Sequence, residues 1–567
     1  MDNQHRASRS DDYDAHAYRQ FFEHEFTYLN GFRRNTHRYA DRPAITDPAS
    51  GRSWTYAQLG RQVDRLATGL STAGVNAGAV VSYQLLNGPE FAQLYLATQV
   101  CAAVGAPVNF RLSAGETAHI LDANQPAVHV YDTSISDVVT RALEIASHRP
   151  AVVVAVGDGE PLRVSGRGTV SLRFADLLAD PTAQPPLTPL TPLTCTVWDE
   201  TTRLHTSGTT GMPKGVPLNS MIEVMSAHDV IMSFPLAPQD VTLNMTPWFH
   251  RGGLYCAGPN PTFYLGSSLV PMAAFDAPRT LDLVATQGLT FLIGAPTNLA
   301  LLAREQESRP RDLSSLKGIV TMGAPLERDA ALRYQRVLTP RIFNGYGSTE
   351  GFWNTFLRPD DLPGHAGTAG RACIDDDVAV VRLHPDRLGT ENETVAKDGV
   401  EVGEVAIRSP KCALAYLDNP EQEAAKYRDG WLHIGDLATW DADEFLTIVG
   451  RKDDMLISGG ENVHPVQVEE ALNTHPAVVD SLVVGVPDDD WGQVVVAYVV
   501  AADPATTAAQ LDAHCRDHPM LSRFKRPRAY RFVAALPVTA TGKKLHYRAT
   551  ETARAEMADG AFTVVPR

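Results

Sequence analysis

Cysteine is scarce in this chain. Six cysteines (Cys101, Cys195, Cys256, Cys373, Cys412, Cys515) are scattered over 567 residues with no CxxC pair. That spacing fits neither a disulfide framework nor a zinc site, and a chain of this length needs no covalent staples. Reduced thiols in the cytosol are the expectation. Positive charge is also short: 50 Lys and Arg stand against 66 Asp and Glu, a formal net charge of −16. Nucleic-acid binding wants a basic face, so no nucleic-acid partner is expected. A nucleotide ligand is not excluded, because one pocket can be basic inside an acidic protein. Long apolar runs are missing. The nearest, 91–108, is interrupted by Gln93, Gln99 and Gly105. It reads as a buried helix running into a strand, so no membrane span is expected. The opening MDNQHRASRSDDYDAH is polar, without an apolar h-region, so no secretory signal is expected and the location read is cytoplasmic. No repeat period of the roughly 20–50 residues typical of solenoids is found.

What is present is a globular composition, 44% hydrophobic and 20% charged, in a chain too long for one core. Residues 1 to about 25 read as a flexible lead-in. Beyond them, helical patterns at 56–73 and 91–104 alternate with β-rich runs at 80–86, 105–109, 127–131 and 151–156. This rhythm predicts an α/β architecture with largely parallel sheets. The stretch 180–194 contains PLTPLTPLT, whose prolines suit a surface connection and neither a helix nor a central strand. After Gly450 the character changes. A helix at 465–473, strands at 478–486 and 494–501, a basic RFKRPR and a polar TATGKK follow. A separate small α+β domain is expected there.

The most informative segment is Thr206-Ser207-Gly208-Thr209-Thr210-Gly211-Met212-Pro213-Lys214-Gly215-Val216. Glycines let consecutive backbone N–H groups turn inward on an anion, four hydroxyls add donors, and Lys214 adds a mobile cation. That is the chemistry of a polyphosphate cradle. It is not a Walker A loop, because Gly215 follows Lys214 where Ser or Thr would stand. A Ser/Thr/Gly surface linker has a similar composition, but Pro213-Lys214-Gly215 running into Val216 does not suit one.

This loop, together with the segments below, resembles the adenylate-forming superfamily along nearly the whole chain. That superfamily comprises acyl- and aryl-CoA synthetases, adenylation domains of nonribosomal peptide synthetases, and firefly luciferase. The segments SGGENVHP and FKRP look most like those of aryl-CoA ligases such as 4-chlorobenzoate:CoA ligase. The resemblance implies a large N-terminal domain of stacked mixed sheets with helices (1–452), and a small mobile α+β C-terminal domain (453–567) turning about a hinge at Asp453. It implies ATP, Mg²⁺ and CoA as ligands and a small-molecule acid as substrate. A carrier-protein partner and a homodimer stay open.

Residue by residue, the resemblance places Gly323, Ala324 and Pro325 against adenine, where a flat ring must approach the main chain. In Asn344-Gly345-Tyr346-Gly347-Ser348-Thr349-Glu350 it places Tyr346 on adenine, Thr349 at the α-phosphate and Glu350 on Mg²⁺. Asp436 and Arg451 fall at the ribose. His250 gates the acyl pocket, walled by Arg251, Gly252, Met322, Gly345, Gly351 and Phe352. Bulky Phe352 suggests a compact ring-bearing acid, and Arg251 would pair with a polar ring substituent or point to solvent. Thr539-Ala540-Thr541-Gly542-Lys543 carries the lysine that enters the adenylating site; Lys544 is adjacent, and the TGK frame favours Lys543. Ser458-Gly459-Gly460 would leave a slot for a pantetheine thiol. Arg111, Trp491, Phe524, Arg526 and Arg528 would hold the nucleotide end of CoA, although a solvated basic patch has the same composition.

The implied reaction is acyl-AMP formation with loss of pyrophosphate, followed by transfer to a thiol, most simply CoA. Transfer to a carrier protein, an amine or another nucleophile, including nitrite-dependent diazotisation, would leave the same motifs. Nothing points to luciferase-like oxidation. A catalytically dead nucleotide-binding protein is the remaining alternative, against which stand Lys214, Glu350, Asp436, Arg451 and Lys543.

Overall fold

The computed structural model describes residues 15–163, 168–178, 195–207, 213–384, 387–458, 461–488, 491–518, 521, 523–538 and 544–566. PLTPLTPLT lies outside them. The chain is α/β, with a large N-terminal domain and a small C-terminal one.

The large domain carries three sheets. A seven-stranded sheet runs in the order Val170–Arg173, Val152–Val156, Val128–Asp132, Val80–Gln84, Val104–Pro107, Glu200–Ser207 and Pro213–Asn219. All its pairings are parallel but the last. Parallel strands covered on both faces read as continuous apolar runs, as Val-Val-Val-Ala-Val at 152–156 does. A nine-stranded sheet has a parallel centre, where Phe291–Gly294, Gly318–Met322 and Ile342–Ser348 lie side by side. A five-stranded antiparallel sheet includes Gly403–Arg408, Trp431–Trp440 and Leu446–Arg451.

Local chemistry sets the connecting helices. Thr55 and Gln58 close a capping box on the helix Tyr56–Thr72, and Ser113 and Glu116 do so on Ala114–Asn124, each satisfying orphan N–H groups. The helix Pro89–Val100 starts at a proline on its first turn and buries ten of its twelve residues. Two sequence expectations are corrected. That helix ends at Val100, not 104: Ala102 takes φ 53, and Val104 already belongs to the next strand. The lead-in is not all irregular either, since Ala15–His24 is a helix. It is tied down by Val197 N–H donating to Glu23 O (2.7 Å) and by a His24 Nδ1 hydrogen bond with Cys195 O (2.7 Å).

The chain leaves the five-stranded sheet at Arg451, makes a turn at Lys452–Asp454, and enters a hairpin at Leu456–Ser458 and Glu461–Val463. Then comes a four-stranded sheet led by Val478–Asp488 and Gly492–Ala501, with helices Pro465–Asn473, Ala508–Asp517 and His546–Ala558. Its own core is built around Val468, Leu472, Val483, Val499 and Leu511.

Candidate active site

The motif residues gather where strands of the nine-stranded sheet end beside the five-stranded sheet. Gly318–Met322 and Ile342–Ser348 run parallel in register, Met322 opposite Gly345. The first strand ends at Gly323 with φ +85, in the left-handed region that glycine enters without strain, leaving Gly323 and Pro325 exposed and Ala324 half-buried. The second turns back at once into Phe352–Leu357. This turn requires Gly347: a Cβ there would lie 1.6 Å from the Phe352 carbonyl oxygen. Thr349 and Glu350 occupy the turn, half-buried. Asn344 lies below, buried, with Oδ1 lacking a hydrogen-bond partner among the described residues.

Asp436 and Arg451, both on the five-stranded sheet, are brought to Tyr346 of the nine-stranded one. The Tyr346 hydroxyl donates to Asp436 Oδ2 (2.7 Å), and Arg451 Nη1 donates to Oδ1 (2.5 Å). Asp436 and Arg451 are cross-strand partners. Burial, then the charge of Asp436, push the Tyr346 phenol well above its ordinary value, so it stays a neutral donor. The Glu350 carboxylate accepts the Tyr416 hydroxyl at Oε1 (2.6 Å). Tyr416 was not foreseeable, since no local spacing links residues 66 positions apart.

On the seven-stranded sheet, Lys214 stands opposite Thr206, and its Nζ donates to Gln422 Oε1 (2.9 Å). Ser207 ends the strand, while Gly208, Thr209, Thr210 and Gly211 lie outside the described residues, as do Gly459, Gly460 and Lys543. Lys544 is described. Its ammonium binds Glu469 Oε2 (3.0 Å) and Asp480 Oδ1 (2.8 Å), a commitment within the small domain. The Asp453 backbone lies in the turn Lys452–Asp454.

His250 caps the short helix Arg251–Tyr255, its ring 4.3 Å from that of Phe249, which meets Phe110 edge-on at 5.5 Å. Burial, then the charge of Arg111, lower its pKa to about 4, so the imidazole is neutral at physiological pH. Arg111 itself is exposed, over Phe110. Gly252 faces Met322: a Cβ on it would come 2.7 Å from Met322 Sδ. Beyond Gly345 and Gly351 the rings of Phe352 and Trp353 stack at 4.8 Å, with Tyr255 beside Phe352.

Two side chains stand differently from the sequence expectation. Arg251 neither faces solvent nor reaches for a ring substituent. It is buried, and its guanidinium donates to the carbonyls of Thr349 (2.6 Å), Glu350 (2.9 Å) and Lys411 (2.6 Å). The sequence could not reveal this, because the acceptors are backbone groups far along the chain. Arg526 is likewise engaged internally, donating from Nε to Asp512 Oδ1 (2.7 Å) and from Nη1 to Arg523 O (2.9 Å). Arg528 differs. It lies over the Trp491 ring at 5.0 Å, buried, with Nε and Nη1 lacking hydrogen-bond partners among the described residues. The Phe524 backbone lies in the adjoining turn Arg523–Lys525.

Motif residues from three sheets are thus in place. The model of the AMP-binding enzyme family matches residues 32–417, and that of its C-terminal domain matches 467–543. The chain belongs to the AMP-binding enzyme family. This AMP-binding enzyme is 34% identical to a feruloyl-CoA synthase from Amycolatopsis sp, over 87% of this chain and 93% of that one. It is 30% identical to a 4-chlorobenzoate–CoA ligase from Arthrobacter sp, over 90% and 92%. The structure of the amide bond synthetase McbA from Marinactinospora thermotolerans is similar at 28% identity and a TM-score of 0.80, covering 93% of this chain and 100% of that one. The adenylate-forming resemblance read from the motifs therefore holds. No described helix is long and apolar enough to cross a membrane.

Proposed function

We propose that this enzyme activates a compact aryl-type carboxylic acid as its acyl-AMP and transfers the acyl group to coenzyme A. The observation that carries the reading is the Tyr346–Asp436–Arg451 cluster beside Thr349 and Glu350. Asp436 offers two oxygens to a ribose diol, and Tyr346 and Arg451 fix its orientation. The acid, ionised at neutral pH, attacks the α-phosphorus of ATP through a carboxylate oxygen, and pyrophosphate leaves. Negative charge grows on the phosphoryl oxygens, opposed by Lys214, Thr349 and Lys543; positioning and electrostatics do most of the catalysis. Glu350 supplies one carboxylate, steadied by Tyr416, and phosphate oxygens complete the donor set Mg²⁺ takes in nucleotide sites, so the residues fit the ion. Lys543 rather than Lys544 is the lysine of this step, since Lys544 is held by Glu469 and Asp480.

In the second step the CoA thiolate attacks the acyl carbonyl and AMP leaves. We place the hinge for this step at Asp453, with domains 1–452 and 453–567. Arg528 over Trp491 suits an adenine bearing a phosphate. The stacked Phe352 and Trp353 behind Gly345 and Gly351 close the acyl side, which favours a ring over a long chain. A second reading, transfer to an amine, is favoured by the likeness to an amide bond synthetase and by the engagement of Arg526 with Asp512.

The test is acid-dependent pyrophosphate release over aryl, medium-chain and long-chain acids, with products read by mass spectrometry. Aryl acids should give the highest kcat/KM and a CoA thioester. A long-chain acid that outruns every aryl acid refutes the substrate class, and amides formed in preference to thioesters refute the acceptor.

A further inference from the structure

The buried arginine beside the gating histidine has a different task from the residues around it. Burying a guanidinium is costly, and an apolar side chain of the same volume would serve packing at lower cost. Arg251 nonetheless sits 2% exposed, with its charge beneath the nucleotide turn. One nitrogen, Nη1, donates to two consecutive carbonyls, Thr349 O and Glu350 O. Two consecutive carbonyls held from one point fix the orientation of the peptide between them. A second nitrogen, Nη2, donates to Lys411 O (2.6 Å) and to Ser226 Oγ (3.4 Å). Ala413 N–H donates to the same Glu350 carbonyl (2.7 Å), so the segment 411–413 and Arg251 grip the turn from two sides. Lys411 is itself anchored: its buried ammonium lies 2.9 Å from both Asp229 Oδ2 and Asp376 Oδ2. Trp353 Nε1 donates to Asp229, and Asn354 Nδ2 donates to Asp376 (2.9 Å). Two cations and two carboxylates therefore balance in the interior, and the grid reaches the turn and the strand Phe352–Leu357 that follows it.

We propose that Arg251 is a positioning residue for the phosphate and metal side of the adenylation site, acting through the Thr349–Glu350 backbone from the acyl-gating helix. This rests on the adenylating function proposed above. The helix that starts after His250 and the turn that carries Glu350 are thereby one mechanical unit. Side chains of the acid-binding segment and of the nucleotide turn share a support that neither segment provides alone. A displacement of about 1 Å at a reacting centre costs on the order of 100-fold in rate. Loss of the grip should therefore fall on kcat and on the Mg²⁺ requirement, and little on acid affinity.

The experiment uses the full chain with R251M and R251K, each checked for folding by circular dichroism. Acid-dependent pyrophosphate release is measured against acid, ATP and Mg²⁺ concentration. R251M should lose about 100-fold in kcat, keep its acid KM within about threefold, and need more Mg²⁺ for half-maximal rate. R251K, which keeps a cationic donor, should recover part of the kcat and of the Mg²⁺ response. Wild-type kcat and Mg²⁺ dependence in R251M overturn the proposal. So does a rise in acid KM alone, which would make Arg251 a pocket residue. If R251M does not fold, R251K decides by the same two readouts. Absence of pyrophosphate release from the wild type with every acid refutes the adenylating function instead, and is read before any variant.

Discussion

His546 begins the last helix and stands in a charge cluster of the small domain. Its Nε2 meets Glu469 Oε1 at 2.6 Å, and its Nδ1 lies 3.9 Å from Asp454 Oδ2. Lys544 takes the other Glu469 oxygen and also reaches Asp480. Burial acts to lower the His546 pKa, but the Glu469 hydrogen bond and the charges of Glu469 and Asp454 outweigh it and raise the value. On Glu469, burial acts to raise the pKa; the His546 hydrogen bond, then Lys544, bring it below the ordinary carboxylate value. A raised histidine pKa in the fold means that folding favours the charged ring. Its stabilisation is complete below the unfolded histidine pKa of about 6.5 and is lost as pH rises through the folded value. His546→Gln keeps an N–H donor and removes the charge. A hydrogen bond to a charged group contributes about 1.5–3 kcal/mol against about 1 kcal/mol for a neutral one. The variant should thus be less stable by about 1–2 kcal/mol near pH 6, roughly 4–8 °C in Tm for a domain of this size. Toward pH 9 the gap should narrow, because the wild-type ring loses its proton as pH rises through its folded value. Scanning calorimetry of both full chains at the two pH values measures it. A gap that stays constant, or widens toward pH 9, refutes the charge assignment.

Three further outcomes follow from the proposed function. Lys543→Ala should cut adenylate formation by several orders of magnitude and leave thioester formation from supplied acyl-AMP nearly intact; equal losses in both half-reactions would sink the division of labour. Asp453→Pro fixes φ near about −65°, so adenylation should continue while CoA transfer collapses, and wild-type transfer from preformed acyl-AMP would move the hinge elsewhere. Tyr416→Phe removes the hydroxyl that orients Glu350 and should raise the Mg²⁺ needed for half-maximal pyrophosphate release by about tenfold or more; an unchanged Mg²⁺ curve would detach Tyr416 from the metal side.

The sequence by itself determined the family and the α/β class. Those properties reside in short contiguous segments and in the alternation of helical and β-rich runs. The segment Asn344–Glu350 is legible because its glycine spacing dictates backbone course at the turn, where a Cβ on Gly347 would meet the Phe352 carbonyl. The helix Pro465–Asn473 was legible to the residue, since proline at its start and a polar stop mark both ends. Tertiary structure alone decided where long side chains go. Arg251 follows His250 in sequence, yet the carbonyls it holds lie 98, 99 and 160 positions away. Arg526 and Arg528 are two residues apart in one basic run. One is engaged by Asp512, and the other lies over Trp491 without partners on two of its nitrogens among the described residues. A charged side chain takes its role from whichever polar groups the fold leaves unsatisfied nearby, and those are set by packing between sheets, not by spacing along the chain.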